Sequence, residues 1–183
     1  MPAREDVDDD TLEILARERG RALFGYAYLL TGDRGAAEDL VQDALVRTFT
    51  RLRAGTDVVH AEAYVRAAIL RLHLDSLRRR GRWTAVRHLL HVPGDEAVRD
   101  PAASVATGSA VHDALATLAP QERVAVVLRH VEDLTVPDVA AQMGLAVGTV
   151  KRYLSTGSAK LAQRLGTLPD DGEHVVVHAR EAR

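Results

Sequence analysis

At 183 residues, 46% hydrophobic and 27% charged, the chain has the size and balance of a folded protein with one domain or two small ones. A formal net charge of −2 excludes nucleic-acid binding by bulk charge, and the absence of cysteine excludes a disulfide framework and thiol chemistry. The acidic N-terminus does not suit a signal peptide, and no apolar run approaches the ~20 residues of a transmembrane helix, so the expected location is cytoplasmic without membrane insertion.

Charge is unevenly spread. Residues 1–13 hold six acids against one arginine, and residues 64–88 hold seven arginines against one acid. This pattern predicts an acidic arm over residues 1–10 and an anionic partner for the middle of the chain.

Three helices are predicted for a first unit, residues 11–92. In residues 11–30, Leu12, Leu15, Ala16, Leu23, Ala27 and Leu30 share one helical face, and Thr31-Gly32-Asp33 is a turn signal that ends it. A second helix over about 34–53 turns Ala37, Leu40, Val41, Ala44, Leu45, Phe49 and Leu52 inward and Asp39, Gln42, Asp43 and Arg47 outward. A third over about 61–80 buries Val65, Ala68, Ile69, Leu72 and Ser76. Each helix buries one stripe, so the three must pack together.

Within the third helix, "LRLHLDSLRRRGRW" (residues 70–83) places Arg71, Asp75, Arg78 and Arg82 near one face away from the apolar stripe, with Arg79 beside them and Trp83 closing the run. A basic face beside an exposed aromatic suits a DNA strand whose bases must unstack, because guanidiniums hold phosphates and rings stack on bases. The alternative is a solvated basic helix whose tryptophan belongs to the core.

Residues 93–108, "PGDEAVRDPAASVATG", have no apolar period and read as a flexible linker. A second helical unit follows over 109–166. Val111, Leu115 and Leu118 form a stripe ending at Ala119-Pro120, and Val124, Val127, Leu128 and Val131 form the next. Thr135 is placed to cap a short helix, 136–143, with Pro137 in its first turn and Gly144 as its left-handed stop. The last helix, 147–165, turns Val150, Leu154, Leu161 and Leu165 inward. Residues 167–183 form a tail without clear period.

A short helix, a glycine turn and a longer helix make a helix-turn-helix. The outward residues near the start of its second helix are Thr149, Lys151, Arg152 and Ser155, where this motif meets base edges and phosphates. Ala146 stands where Ser or Thr would cap that helix, a loss of roughly 1 kcal/mol. A helical hairpin with a solvated charged face is the competing reading.

The expected fold is therefore all-α, with two small helical domains. The sequence has no glycine-rich phosphate loop and no nucleophile elbow, so no enzyme and no catalytic residue is expected. The pairs His88/His91 and His174/His178 lack a suitably spaced third ligand, so neither a metal nor another cofactor is expected.

Two stretches carry a family resemblance. "LFGYAYLLTGDRGAAEDLVQDALVRTFTRL" resembles the conserved region 2 core of extracytoplasmic-function (group 4) sigma factors of the sigma-70 family, of the SigE-like actinobacterial type. "LATLAPQERVAVVLRHVEDLTVPDVAAQMGLAVGTVKRYLSTGSAKL" resembles their region 4. The resemblance spans about residues 12–166. It implies that Asp39, Gln42, Asp43, Val46 and Arg47 bind the clamp helices of the RNA polymerase β′ subunit, and that the arginine helix recognises and melts the −10 element. It implies that the second domain binds the β flap and reads the −35 element, and that an anti-sigma factor regulates the chain. Arg71 stands where members often have asparagine, and Arg152, Tyr153 and Thr156 depart from "GTVKSRLSRG", which implies an altered −35 preference or a weakened one. The free chain is expected to bind promoters poorly, each domain offering only a small basic patch. The alternatives are a stand-alone helix-turn-helix transcription regulator, which needs neither the acid-and-glutamine face nor the arginine helix, and a helical interaction protein without DNA binding.

Overall fold

The computed structural model describes residues 14–49, 58–89 and 110–165, without the side chains at positions 16, 49 and 83–89. All regular structure among the described residues is helical, as expected. A wide π-type turn, Leu15–Arg19, leads into α1, Gly20–Thr31; α2 is Arg34–Phe49 and α3 is Val58–Leu89.

Local chemistry sets the first boundary. Gly32 takes φ 70°, the left-handed conformation open to glycine, and its N–H donates to the Tyr28 carbonyl at 2.8 Å. Asp33 Oδ1 accepts from the Ala36 N–H at 2.7 Å and so caps α2. Leu15, Leu23, Ala27, Leu30, Ala37, Ala44, Val65, Ile69 and Leu72 are buried in one cluster, and Leu40, Val41, Leu45 and Ala68 pack against it. Ser76 is half-buried, while Leu12 and Leu52 lie outside the described residues.

Helix α3 corrects one boundary. It starts at Val58 and continues to Leu89, so it does not stop near Arg80. Gly81 is the only break in the arginine run, and one interior glycine costs a helix about 1 kcal/mol, too little to end it without a following stop. The same helix buries a second stripe, Leu70, His73 and Leu74, on a different side from Val65, Ile69 and Leu72.

The second unit comprises α4, Ala110–Ala116; α5, Pro120–His130; α6, Val136–Met143; and α7, Val147–Leu165. Helices α6 and α7 have the expected bounds. Two stripe members are exposed instead of inward. Val111 sits at the open start of a two-turn helix whose Ala114 and Leu115 are the buried side. Val131 is the C-cap of α5, still in helical conformation with its N–H on the Val127 carbonyl, but it lies past the buried run that ends at Leu128 and is exposed. Val150 is fully buried, and Leu154, Leu161 and Leu165 are half-buried.

The two units are docked. Helix α1 packs on α2 and α3 and also on α5. Leu70 and Leu74 belong to the same continuous cluster as Val124, Leu128, Val139, Met143 and Val150. Residues 23–30, "LFGYAYLL", are apolar nearly all round, as suits a helix covered on both sides.

Candidate nucleic-acid interface

The helix-turn-helix is built by its caps. Thr135 Oγ1 accepts from the Asp138 N–H at 3.4 Å and also meets the Asp138 carboxylate. Pro137 lies in the first turn of α6, where its missing N–H costs nothing. Gly144 ends α6 at φ 65°, and the Leu145 N–H closes back on the Ala140 carbonyl at 3.0 Å. Ala146 offers no side-chain cap; its carbonyl takes the Thr149 and Val150 N–H groups at 2.9 and 3.2 Å.

Lys151, Arg152 and Ser155 are exposed together on the outer face of α7, and Thr149 is half-buried at its edge. Tyr153 packs on the core, and the Arg152 guanidinium lies 5.7 Å from its ring centroid. The tyrosine thus props the arginine at the helix surface.

On α3, Arg71, Asp75, Arg78 and Arg82 follow one stripe, all exposed except the half-buried Asp75; Arg79 is exposed beside them. Arg78 Nη1 donates to Asp75 Oδ1 at 3.2 Å, and its Nη2 donates to the Met143 carbonyl at 3.1 Å. An expected −10 residue therefore touches the helix-turn-helix. The Trp83 backbone continues α3, and its side chain lies outside the described set. Tyr64, which the sequence reading passed over, is 60% exposed on the same stripe, seven residues before Arg71. The i, i+7 spacing was its signal.

Asp39, Gln42, Asp43, Val46 and Arg47 form one exposed face of α2, with Val46 66% exposed despite being apolar. His73 is the main titration anomaly. Burial, with Arg80 and Arg123 adding to it, pushes its pKa down to about 4, and its Nε2 has no hydrogen-bond partner. Among the described residues no group of three His, Cys, Asp or Glu side chains is placed to hold a metal, and no helix is long and apolar enough to cross a membrane.

Residues 15–83 match the Sigma-70 region 2 family model, and residues 109–161 match that for Sigma-70, region 4. The RNA polymerase sigma-E factor of Streptomyces avermitilis is 34% identical over 173 residues, covering 92% of this chain and 93% of that one. The chain belongs to the sigma-70 family of RNA polymerase sigma factors. The sigma-E factor of Streptomyces coelicolor is 34% identical over 157 residues, covering 84% and 85%. The sigma factor RpoE of Bartonella quintana, solved with the anti-sigma factor NepR, superposes with a TM-score of 0.54 at 26% identity, covering 88% of this sigma factor and 99% of that chain. The region 2 match contains the outer face of α2 and the α3 arginines up to Arg82; the region 4 match contains the helix-turn-helix.

Proposed function

We propose that this sigma factor binds core RNA polymerase and directs promoter-specific initiation through both of its units. The exposed α2 face, Asp39, Gln42, Asp43, Val46 and Arg47, meets the β′ clamp helices. Arg71, Arg78, Arg79 and Arg82 hold the opened −10 strand, with Asp75 setting the Arg78 rotamer and Trp83 stacking at the edge of the bubble. The second unit sits on the β flap and reads the −35 element through Thr149, Lys151, Arg152 and Ser155. The chain performs no bond chemistry; its work is positioning and strand capture. It acts in the cytoplasm, where core polymerase and promoters are. The solved relative carries an anti-sigma factor, and a partner of that kind is proposed here too.

The observation that carries this reading is the presence in one chain of two outward cationic helix faces and the uncovered α2 face. A stand-alone regulator has use for the helix-turn-helix alone. The test is transcription in vitro with sigma-free core polymerase on a library of random upstream sequences, followed by sequencing of the starts. Starts behind one shared two-part motif are expected. No starts and no core binding would move the weight to the stand-alone regulator.

A further inference from the structure

We propose that Arg152 and Tyr153 form one base-reading unit, in which the Tyr153 ring holds the Arg152 guanidinium ready for a guanine edge in the −35 major groove. This rests on the −35 role proposed above and names the base that it selects. Tyr153 is a positioning residue, acting through Arg152. The placement follows from the helix. Val150 is fully buried and turns one side of α7 to the core. Arg152, two residues on, lies about 200° round the helix and is exposed. Tyr153, three residues on from Val150, falls back toward the core side, where its half-buried side chain packs on the core cluster. The core therefore fixes the ring, and the Arg152 Cζ lies 5.7 Å from the ring centroid. That is within the ~6 Å over which a ring attracts a guanidinium.

The contact leaves the arginine's donors free. Among the described residues no acid and no hydrogen-bond acceptor takes up the Arg152 head. Other arginines of this chain are held differently. Arg78 donates to Asp75 and to the Met143 carbonyl, and Arg66 pairs with Glu62 and Glu132. A carboxylate holds a guanidinium by occupying the same fork of N–H groups that reads guanine O6 and N7. A ring attracts the charge and takes none of those donors. Within the −35 set Thr149 and Ser155 carry single hydroxyls, and Lys151 is a point charge without a planar fork. Arg152 is the member that matches the two guanine acceptors.

Holding the head matters because an arginine side chain gives up rotamer freedom when it docks on a base. One already set against a fixed ring gives up less, so more of the contact appears as discrimination. The departures from "GTVKSRLSRG" at positions 152 and 153 are thereby a single change. The arginine moves by one residue, from the half-buried flank of α7 to its exposed face, and a ring takes its former place. The −35 preference is thus altered toward guanine and not weakened.

The test compares Tyr153→Phe, which keeps the ring, Tyr153→Leu, which keeps an apolar anchor without one, Arg152→Ala, and Arg152→Ala combined with Tyr153→Leu. Each full chain is assembled with core polymerase, and competition binding is run on promoters carrying each base in turn at every −35 position. Wild type is expected to prefer guanine at one position, and Arg152→Ala to lose that preference. Tyr153→Leu is expected to reduce it about two- to five-fold, the range of an exposed cation–π contact, with the salt dependence unchanged. Tyr153→Phe should match wild type, and the double variant should be no worse than Arg152→Ala, because the ring acts through the arginine. A second readout needs neither polymerase nor DNA. In the free chain the Arg152 Hε resonance is expected to be shielded by the ring, to move downfield in Tyr153→Leu and to stay in Tyr153→Phe. An Hε that does not move in Tyr153→Leu, a leucine variant with full guanine preference, or a phenylalanine variant as impaired as leucine overturns the pair. Affinity lost equally at all bases, in step with a lower melting temperature, marks a packing role and overturns it too. A holoenzyme that selects −35 bases without guanine among them sinks the pair alone. One that selects no −35 base sinks the −35 role, and the base reading with it, whatever the resonance shows.

Discussion

Arg123 of α5 reaches into the end of α1, donating from Nη1 to the Thr31 carbonyl at 2.8 Å and from Nε to the Leu115 carbonyl at 3.0 Å. The guanidinium thus meets the negative end of the α1 dipole while tying α4 to α5. Gly32 makes room for it, since a Cβ there would lie 2.0 Å from Nη1. Arg123 is buried, so leucine in its place removes this donor from the Thr31 carbonyl and leaves the Leu115 carbonyl with only the Leu118 N–H at 3.1 Å. Arg123→Leu is expected to lower unfolding free energy by about 3 kcal/mol. Arg123→Lys recovers only part, because one ammonium cannot span both carbonyls with a planar fork. Urea unfolding followed by circular dichroism measures this, and a leucine variant as stable as wild type would remove the role.

Gly157 sets how closely α7 approaches α5. A Cβ there would lie 2.9 Å from Val126 Cγ2 and 3.7 Å from Glu122 Cβ, while Lys160 Nζ, one turn on, reaches Glu122 Oε2 at 2.7 Å. Gly157→Val is expected to cost about 1–3 kcal/mol through overpacking. Gly157→Ala should cost less, because alanine returns roughly 1 kcal/mol of helix propensity. The order Gly, Ala, Val in melting temperature is the readout; a valine variant that melts no lower than glycine contradicts the close approach.

The contrast between α6 and α3 marks what the sequence made legible. Thr135, Pro137 and Gly144 act within a few residues of themselves, so the bounds of α6 could be read directly. The stripe Leu23, Ala27, Leu30 was legible for the same reason, since a period needs only its own helix. The end of α3 was not, because nothing near Arg80 forbids another turn. The docking was hidden further, because Arg66 and Glu132 are 66 residues apart and look like two ordinary surface charges. Leu70, His73 and Leu74 were assigned no partner because their stripe has meaning only once the second unit is seated on it. The apolar run 23–30 was the visible sign that α1 has two covered sides. The candidate polymerase residues and all the −35 residues except the half-buried Thr149 are exposed, as their polar pattern predicts, whereas Tyr64 is missed when the basic stripe starts at Arg71. The acidic arm, the linker, the tail and three of the four paired histidines lie outside the described residues; of His88 only the backbone is described.

Acid should loosen the fold through the buried His73 and the half-buried His112. His73 is pushed down from 6.5 to about 4 by burial, then by Arg80 on its own helix and Arg123 from α5. His112 is lowered by burial and Arg123, with Asp113 pulling weakly the other way. The folded chain therefore binds fewer protons than the unfolded chain below pH 6.5. Stability is fully present above that value and falls as pH drops toward 4, by about 3 kcal/mol for His73 when the loss is complete. The urea midpoint at pH 5 is expected below that at pH 7.5, and His73→Leu is expected to flatten the difference. Equal midpoints at the two pH values would mean that His73 is not buried in its neutral form.

Two arginines should separate base reading from phosphate holding. Arg152 stands on the outer face of α7 against Tyr153, while Arg79 is exposed on the arginine helix, where the proposed role is holding phosphate. Arg152→Ala, assembled with core polymerase, is expected to change sequence preference at one or two −35 positions, with about 1–3 kcal/mol of discrimination lost there. Arg79→Ala should weaken all promoters alike and reduce the slope of log affinity against log salt by about 1. Competition binding against a randomised −35 element at three salt concentrations measures both at once. If Arg152→Ala leaves the preferred −35 sequence intact and only lowers the salt slope, Arg152 holds phosphate, and base reading on α7 passes to Thr149, Lys151 and Ser155.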